Sequence, residues 1–274
     1  MEKVYIYELG SARGAHLPQI KSYLSRARGV EPLLAGALKL EIGGPAAAPG
    51  RGATRAPQKL SELAEALAAT RVHDLGRRGS FDEPMAAEIA FMERQLAGGG
   101  RSAFGHMYDG LAVMSVLRSV VGAKDGLSLF FTNQILGTWD DGDLRYHARV
   151  LVAGSPAIVS VPGVVLAPAR PREYYMYQQR ARAAGASDDE VEMKMFEVMG
   201  DRFVAHGDSR IPEILKGYAL QAVAYWIFGE GFCDDPECRL FNAHWQEEMI
   251  RAQLGGGGGL CAKHAASLGM CRRT

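Results

Sequence analysis

Several things are scarce in this sequence, and each scarcity removes a class of protein. No apolar run reaches membrane-spanning length, so a transmembrane protein is not expected. Lys and Arg together number 31 and Asp and Glu also 31, so there is no excess charge to attract nucleic acid or an anionic membrane surface. The first residues, Met1-Glu-Lys-Val-Tyr-Ile-Tyr, go straight into a strand-like pattern without a signal-peptide profile, which leads to the expectation of a soluble cytoplasmic protein. There is no G-x-S-x-G elbow and no dinucleotide fingerprint. The glycine-rich stretch Gly98 to Gly105 lacks the Gly-Lys-Ser/Thr ending of a phosphate loop and reads as a connecting loop. Cysteines number only four in 274 residues, and in a cytoplasmic chain clustered cysteines suggest a metal rather than disulfides.

Three of those cysteines carry the clearest pattern. Cys233 and Cys238 form a C-x4-C pair, and Cys261 and His264 form a C-x2-H pair. Two short pairs separated by a longer loop are the layout of a structural zinc site, because each short spacer lets one pair bite a tetrahedral ion without strain. Asp234, Asp235 and Pro236 suit the turn between the first pair. The expected ligands are therefore Cys233, Cys238, Cys261 and His264, with His244 and Cys271 as rivals for the fourth position. Tied up in this way, the thiolates are not expected to serve as nucleophiles.

The rest of the chain reads as an α/β (α+β) fold with a mixed sheet. Strands are predicted at Val4–Leu9, Ala37–Ile42, Val72–Leu75, Leu127–Thr132, Leu144–Val152 and Ala157–Val161. Helices are predicted at Leu17–Ala27, Leu60–Leu67, Glu83–Leu96 capped by Asp82, Met107–Val121, Arg172–Ala184 and Asp188–Met199. Ser187 and Glu190 form a capping box for the last of these. Residues 43–57, rich in Gly, Pro and Ala, read as a loop or linker. From Ile211 to Phe228 the pattern is a long helix, apolar nearly all round beyond Tyr218, which should lie buried at the centre. A further helix should run from Asn242 or Ala243 to Leu254, and Gly255–Gly259 should form a hinge. Thr138–Asp143 lacks calcium-loop spacing and reads as a hairpin turn, and His147 is a candidate partner contact.

The end of the chain resembles the archaemetzincin family of zinc metallopeptidases, whose pattern is HExxHxxGxxH followed at once by C-x4-C and later by C-x2-C. Cys233 directly follows the place of the last motif histidine, Gly229 occupies the motif glycine, and His264 stands where the last cysteine would be. The resemblance spans about Gly126 to His264 and implies a metzincin-like mixed sheet over a long central helix. With it the chain divides into an N-terminal α/β part at 1–125 and an archaemetzincin-like part at 126–274, which could pack as one domain. The second part holds a helical insertion at about 168–210 and the metal segment at 233–264. The resemblance also shows what is missing. The three histidine positions fall on Ala222, Trp226 and Phe232, the general-base glutamate falls on Val223, and the methionine falls on Leu240. A catalytic zinc needs about three protein ligands and a base to take the proton from its bound water. The expected function is thus a zinc-binding scaffold that has lost peptidase chemistry and binds a peptide or protein partner, or forms a homo-oligomer. Trp226 and Phe232 are expected to be buried as packing replacements for the ligands. The alternative is an active metallohydrolase with a relocated centre built from His206, Glu230, His244, Glu247 and Glu248, where His244 and Glu248 share a helix face.

Overall fold

The computed structural model describes residues 1–12, 14–37, 59–79, 82–98, 105–122 and 124–270. Strand β1 (Glu2–Leu9) leads through helix α1 (Leu17–Leu24) to β2 (Val30–Ala37). That strand begins earlier than the predicted Ala37–Ile42, because the turn after α1 closes quickly on Gly29, whose φ of 77° suits a residue without a side chain. The rest of the predicted strand, the 43–57 linker, most of the Gly98–Gly105 loop and Cys271 lie outside the described residues.

Helix α2 (Leu60–Ala68), β3 (Arg71–Val72) and α3 (Ala86–Leu96) follow. Helix α3 starts later than Glu83, and Asp82 does not cap it; instead Glu88 reaches back and accepts the Met85 N–H at 2.9 Å. Next come β4 (Met107–Asp109) and α4 (Gly110–Val121), capped by the Asp109 carboxylate, which accepts from the amides of Leu111 and Ala112. A hairpin of β6 (Ile135–Asp140) and β7 (Arg145–Arg149) follows β5 (Leu127–Thr132), and β8 (Leu151–Val152) and β9 (Ala157–Ser160) complete the strands. The single strand predicted at Leu144–Val152 is thus two strands, broken at Val150 and belonging to different sheets.

The first sheet has the order β2-β1-β5-β9-β8, parallel except for the antiparallel edge strand β8. The second has the order β3-β4-β6-β7. Strand β5 is buried along its whole length, as expected of a central parallel strand. Its alternation separates two cores. Leu127, Leu129 and Phe131 face one cluster with Val4, Ile6 and Val159, while Phe130 joins Tyr7, Leu9 and Ile158 against α2 and α4.

The first cluster is closed by α5 (Gly163–Leu166) and by the long helix α8 (Ile211–Phe228), buried nearly all round from Ile214 to Ala224. Before α8, helices α6 (Arg172–Ala183) and α7 (Asp188–Met199) form an outlying pair with a small core of Tyr174, Val191, Met195 and Phe203. The Ser187–Glu190 capping box opens α7 as predicted. Helix α9 (Gln246–Leu254) begins three or four residues later than predicted and is followed by a 3-10 turn at Gly255–Gly257 and by α10 (Ala262–Leu268), a helix that the sequence reading left out. Among the described residues no helix is long and apolar enough to cross a membrane.

Candidate metal centre

Helix α8 ends at Gly229, whose φ of 73° is the left-handed C-terminal turn that a glycine adopts without strain. The chain then folds into a knuckle. The Cys233 N–H donates to the Leu240 carbonyl at 2.8 Å, the Cys238 N–H to the Asp235 carbonyl at 3.0 Å, and the Phe241 N–H to the Cys238 carbonyl at 2.8 Å. Asp235 stabilises the turn through its carboxylate, which accepts the Glu237 N–H at 3.0 Å. Two backbone amides point at sulfur: Asp235 N–H at Cys233 Sγ and Cys261 N–H at Cys238 Sγ, each at 3.4 Å. Such donors stabilise negative charge on sulfur.

Cys261 immediately precedes α10, and His264 lies in that helix's first turn, so the C-x2-H pair is held by a helix start. The ligand atoms of Cys233, Cys238, Cys261 and His264 all lie within 4.8 Å of one another. Cys233 Sγ is 3.9 Å from Cys261 Sγ, and His264 Nδ1 is 3.6 Å from Cys238 Sγ and 3.1 Å from Cys261 Sγ. A tetrahedral zinc with ordinary bond lengths puts two thiolates about 3.8 Å apart and a thiolate and imidazole nitrogen about 3.5 Å apart. Two of the three distances match, and the third needs a shift of a few tenths of an ångström. The donor set is also right, with three soft sulfurs and an imidazole.

The three thiols differ in their electrostatics. Burial pushes the Cys238 thiol up to about 12 and raises Cys233 as well. Burial would raise Cys261 too, but the backbone amide of His264 and the neighbouring sulfurs outweigh it, and its net shift is downward. Burial lowers His264, with Lys263 adding to the effect, which keeps the imidazole neutral and able to donate its lone pair.

Three residues that sequence reasoning missed hold the knuckle in place. Gln221 Nε2 donates to the Phe241 carbonyl at 3.0 Å, and Gln253 Nε2 to the Arg239 carbonyl at 2.9 Å. Gly217 leaves room for the second, since a Cβ there would lie 1.6 Å from Gln253 Oε1. Arg239 is wholly buried and anchors to the Glu213 carboxylate and carbonyl at 2.6 and 2.7 Å. A readable signal existed for Gln221, a polar residue inside the apolar run of α8.

The residues proposed for a relocated centre are not brought together. His206 is exposed on a groove beside α7, where its backbone N–H donates to Glu192 at 3.1 Å. Glu230 pairs with Lys263 on the surface at 3.3 Å. Glu247 accepts from Arg202 at 2.6 Å. Glu248 is engaged as the cap of α9, accepting the N–H groups of His244 and Trp245 at 2.9 and 3.0 Å. His244 is exposed and lies outside the group formed by Cys233, Cys238, Cys261 and His264. Among the described residues the only other group of this kind is Asp140, Asp143 and His147 on the β6–β7 hairpin, where His147 Nε2 meets Asp143 Oδ2 at 2.7 Å.

The positions that the resemblance assigns to catalysis divide. Ala222 and Val223 are buried in the first core. Trp226 is half-buried, with its indole N–H 3.4 Å from Glu2 Oε2. Phe232 is 48% exposed, so the expectation that it packs into the vacated site is corrected: it follows the Gly229–Gly231 turn outward into solvent. Tyr225 and Phe228 are also exposed. Tyr225 and Phe232 line a groove of ≈ 590 Å³ that runs along the knuckle past Asp234 and Asp235 to His264.

Together these features define an α/β protein built around a buried helix and a Cys3His cluster of metal-ligating type. Residues 53–271 match the model of the "Probable metallopeptidase family (DUF6775)", and the chain belongs to this family. Among solved structures it is similar to a zinc-dependent peptidase from Methanocorpusculum labreanum (strain Z), at 15% identity and a TM-score of 0.40, covering 97% of this chain and 99% of that one. No curated protein matches the chain.

Proposed function

We propose that this chain is an archaemetzincin-like member of its family that holds a structural zinc, has lost peptidase chemistry and acts by binding a peptide or protein partner. The observation that carries this reading is the contrast between two halves of one motif. The Cys3His cluster has the donors and spacing for zinc, while the neighbouring positions that would hold a catalytic ion carry Ala222, Val223, Trp226 and Phe232, none able to ligate a metal or accept a proton. Zinc, when bound, would tie the knuckle after α8 to α10. The groove lined by the exposed Tyr225 and Phe232, beside acidic Asp234 and Asp235, offers a partner both apolar anchors and a negative rim.

The test is metal content together with hydrolysis and binding. Purified chain is expected to carry one zinc, to lose it in Cys238→Ser, and to leave a broad peptide library uncut. A library peptide retained by the wild type and released by a Tyr225→Ala, Phe232→Ala double variant would support the binding role. Metal-dependent cleavage, or a second bound zinc lost with His206→Ala or His244→Ala, would replace this reading with an active hydrolase.

A further inference from the structure

Cys238 faces the metal cluster, and the next residue, Arg239, lines a separate groove of ≈ 730 Å³ between α1, the first turns of α8 and the glycine turn after α9. Four charged side chains line it: Arg26, Lys216 and Arg239 against the single carboxylate of Glu213. Three positive charges and one negative leave an excess of two. Glu213 is shared, accepting from Arg239 Nη2 at 2.6 Å and from Lys216 Nζ at 2.5 Å. Arg26 has no carboxylate partner among the described residues.

Arg239 is a fixed source of field. It is 1% exposed, its guanidinium lies over the Tyr23 ring at 4.7 Å, and its buried Nε finds no acceptor among the described residues. Its packing demands a bare backbone opposite: a Cβ on Gly258, at φ 65°, would come within 2.9 Å of the guanidinium. Like charges gathered in a concave, partly desolvated wall repel one another, and that cost is relieved when an anion enters.

We propose that this groove binds a phosphate monoester carried by a small molecule. The excess of two positive charges matches a phosphate ester, which carries a charge of about −1.5 to −2 at neutral pH. Lys216 and Arg26 are the direct ligands, while Arg239 and the Tyr23 hydroxyl set the field from below. The volume exceeds that of a phosphate group, and Leu260 and Met270 supply apolar wall for the rest of the molecule. This site is independent of the partner-binding face and of whether the chain retains hydrolytic chemistry.

The test is calorimetry on zinc-loaded full chain with phenyl phosphate, inorganic phosphate and a phosphoserine peptide, against sodium chloride at matched ionic strength. Saturable binding of phenyl phosphate is expected, and an Arg26→Gln, Lys216→Gln double variant should weaken it about tenfold or more. Both side chains reach the surface of the groove, so the variant should keep its fold and its zinc, checked by circular dichroism and metal analysis. Amide resonances of Gly258 and Gly259 should shift on titration in the wild type alone. Phosphate esters binding no better than chloride, or a double variant that binds as well as the wild type, would overturn the proposal; so would a phosphopeptide that binds far more tightly than the small ester.

Discussion

Ala222 and Trp226 stand one turn apart on α8, yet their surroundings differ, and so should the effects of changing them. Ala222 is 1% exposed within the core under the first sheet, and Val223 beside it is fully buried. A histidine at 222 would overfill that core and bury an imidazole without a partner, so Ala222→His is expected to destabilise the fold by about 3 kcal/mol, read from urea unfolding. Any ligand introduced at 222 must therefore also reopen the packing around Ala222 and Val223. Trp226 is half-buried, and its truncation should cost about 1–2 kcal/mol rather than the about 3–5 kcal/mol of a core tryptophan. A different residue contributes to the acid limb of stability. Burial of Glu88 would raise its carboxyl, but the Met85 N–H and the Arg71 guanidinium outweigh this and hold it below its ordinary value of 4.5. A carboxyl depressed in the folded state contributes stability that is present above its unfolded value and is lost as the pH falls through the folded one. Thermal unfolding of the wild type should therefore weaken below about pH 4.5, and Glu88→Gln should be less stable at neutral pH and show a flatter acid limb. Equal slopes in the two proteins would assign the acid sensitivity to other carboxylates.

At the level of elements, what was legible in the sequence tracks how local the governing interaction is. The cluster was legible because C-x4-C and C-x2-H fix their own ligands within a turn, and the structure brings Cys233, Cys238, Cys261 and His264 within 4.8 Å of one another. Helix α8 was legible from its unbroken apolar run, and α7 from its own capping box. The errors fall where distant contacts decide. Strand β6 was hidden because the hairpin turn expected at Thr138–Asp143 took in its second half, whereas Thr138, Trp139 and Asp140 pair with β7 and its first half pairs with β4, nearly thirty residues earlier. The split between β7 and β8 depends on which sheet each half joins. Helix α10 is short, and its buried His264, Ala265 and Leu268 matter only once the knuckle lies against them. The knuckle has supports of its own: Gln221 and Gln253 hold two of its carbonyls, and Cys238 and Leu240 are buried in the main core. Chelation should therefore loosen the segment after Gly229 without unfolding the sheets. Hydrogen exchange is expected to accelerate through 230–268 when zinc is stripped, while β1, β5 and β9 keep their protection. Loss of protection across the whole chain would mean that the metal holds the entire fold.

At the scale of the whole molecule, the first sheet decides whether the chain can be divided. The boundary near residue 125, where the family resemblance begins, falls between β1 and β5, and those two strands are hydrogen-bonded neighbours from Val4–Leu127 to Leu9–Thr132. Strand β1 is in turn the partner of β2, so the N-terminal part supplies two of the five strands and the C-terminal part the other three. The cores are shared as well: Val4, Ile6 and Ile20 pack in one cluster with Val159, Leu215 and Leu220, and α2 and α4 cover the opposite face of β5 and β9. A fragment beginning at Gly126 would expose the β5 edge along its full length and leave Phe130 and Ile158 without the helices that cover them. Open edges and bare apolar faces of that kind lead to aggregation rather than to a smaller stable domain. The fragment 126–274 is therefore expected to be insoluble or to lack a cooperative unfolding transition, even with zinc supplied. Co-expression with 1–125 should recover a soluble complex, because the missing strands and helices are then present in trans. A fragment that folds cooperatively alone and binds one zinc would show that the metal-bearing part carries a self-sufficient core, and that the N-terminal strands only extend its sheet.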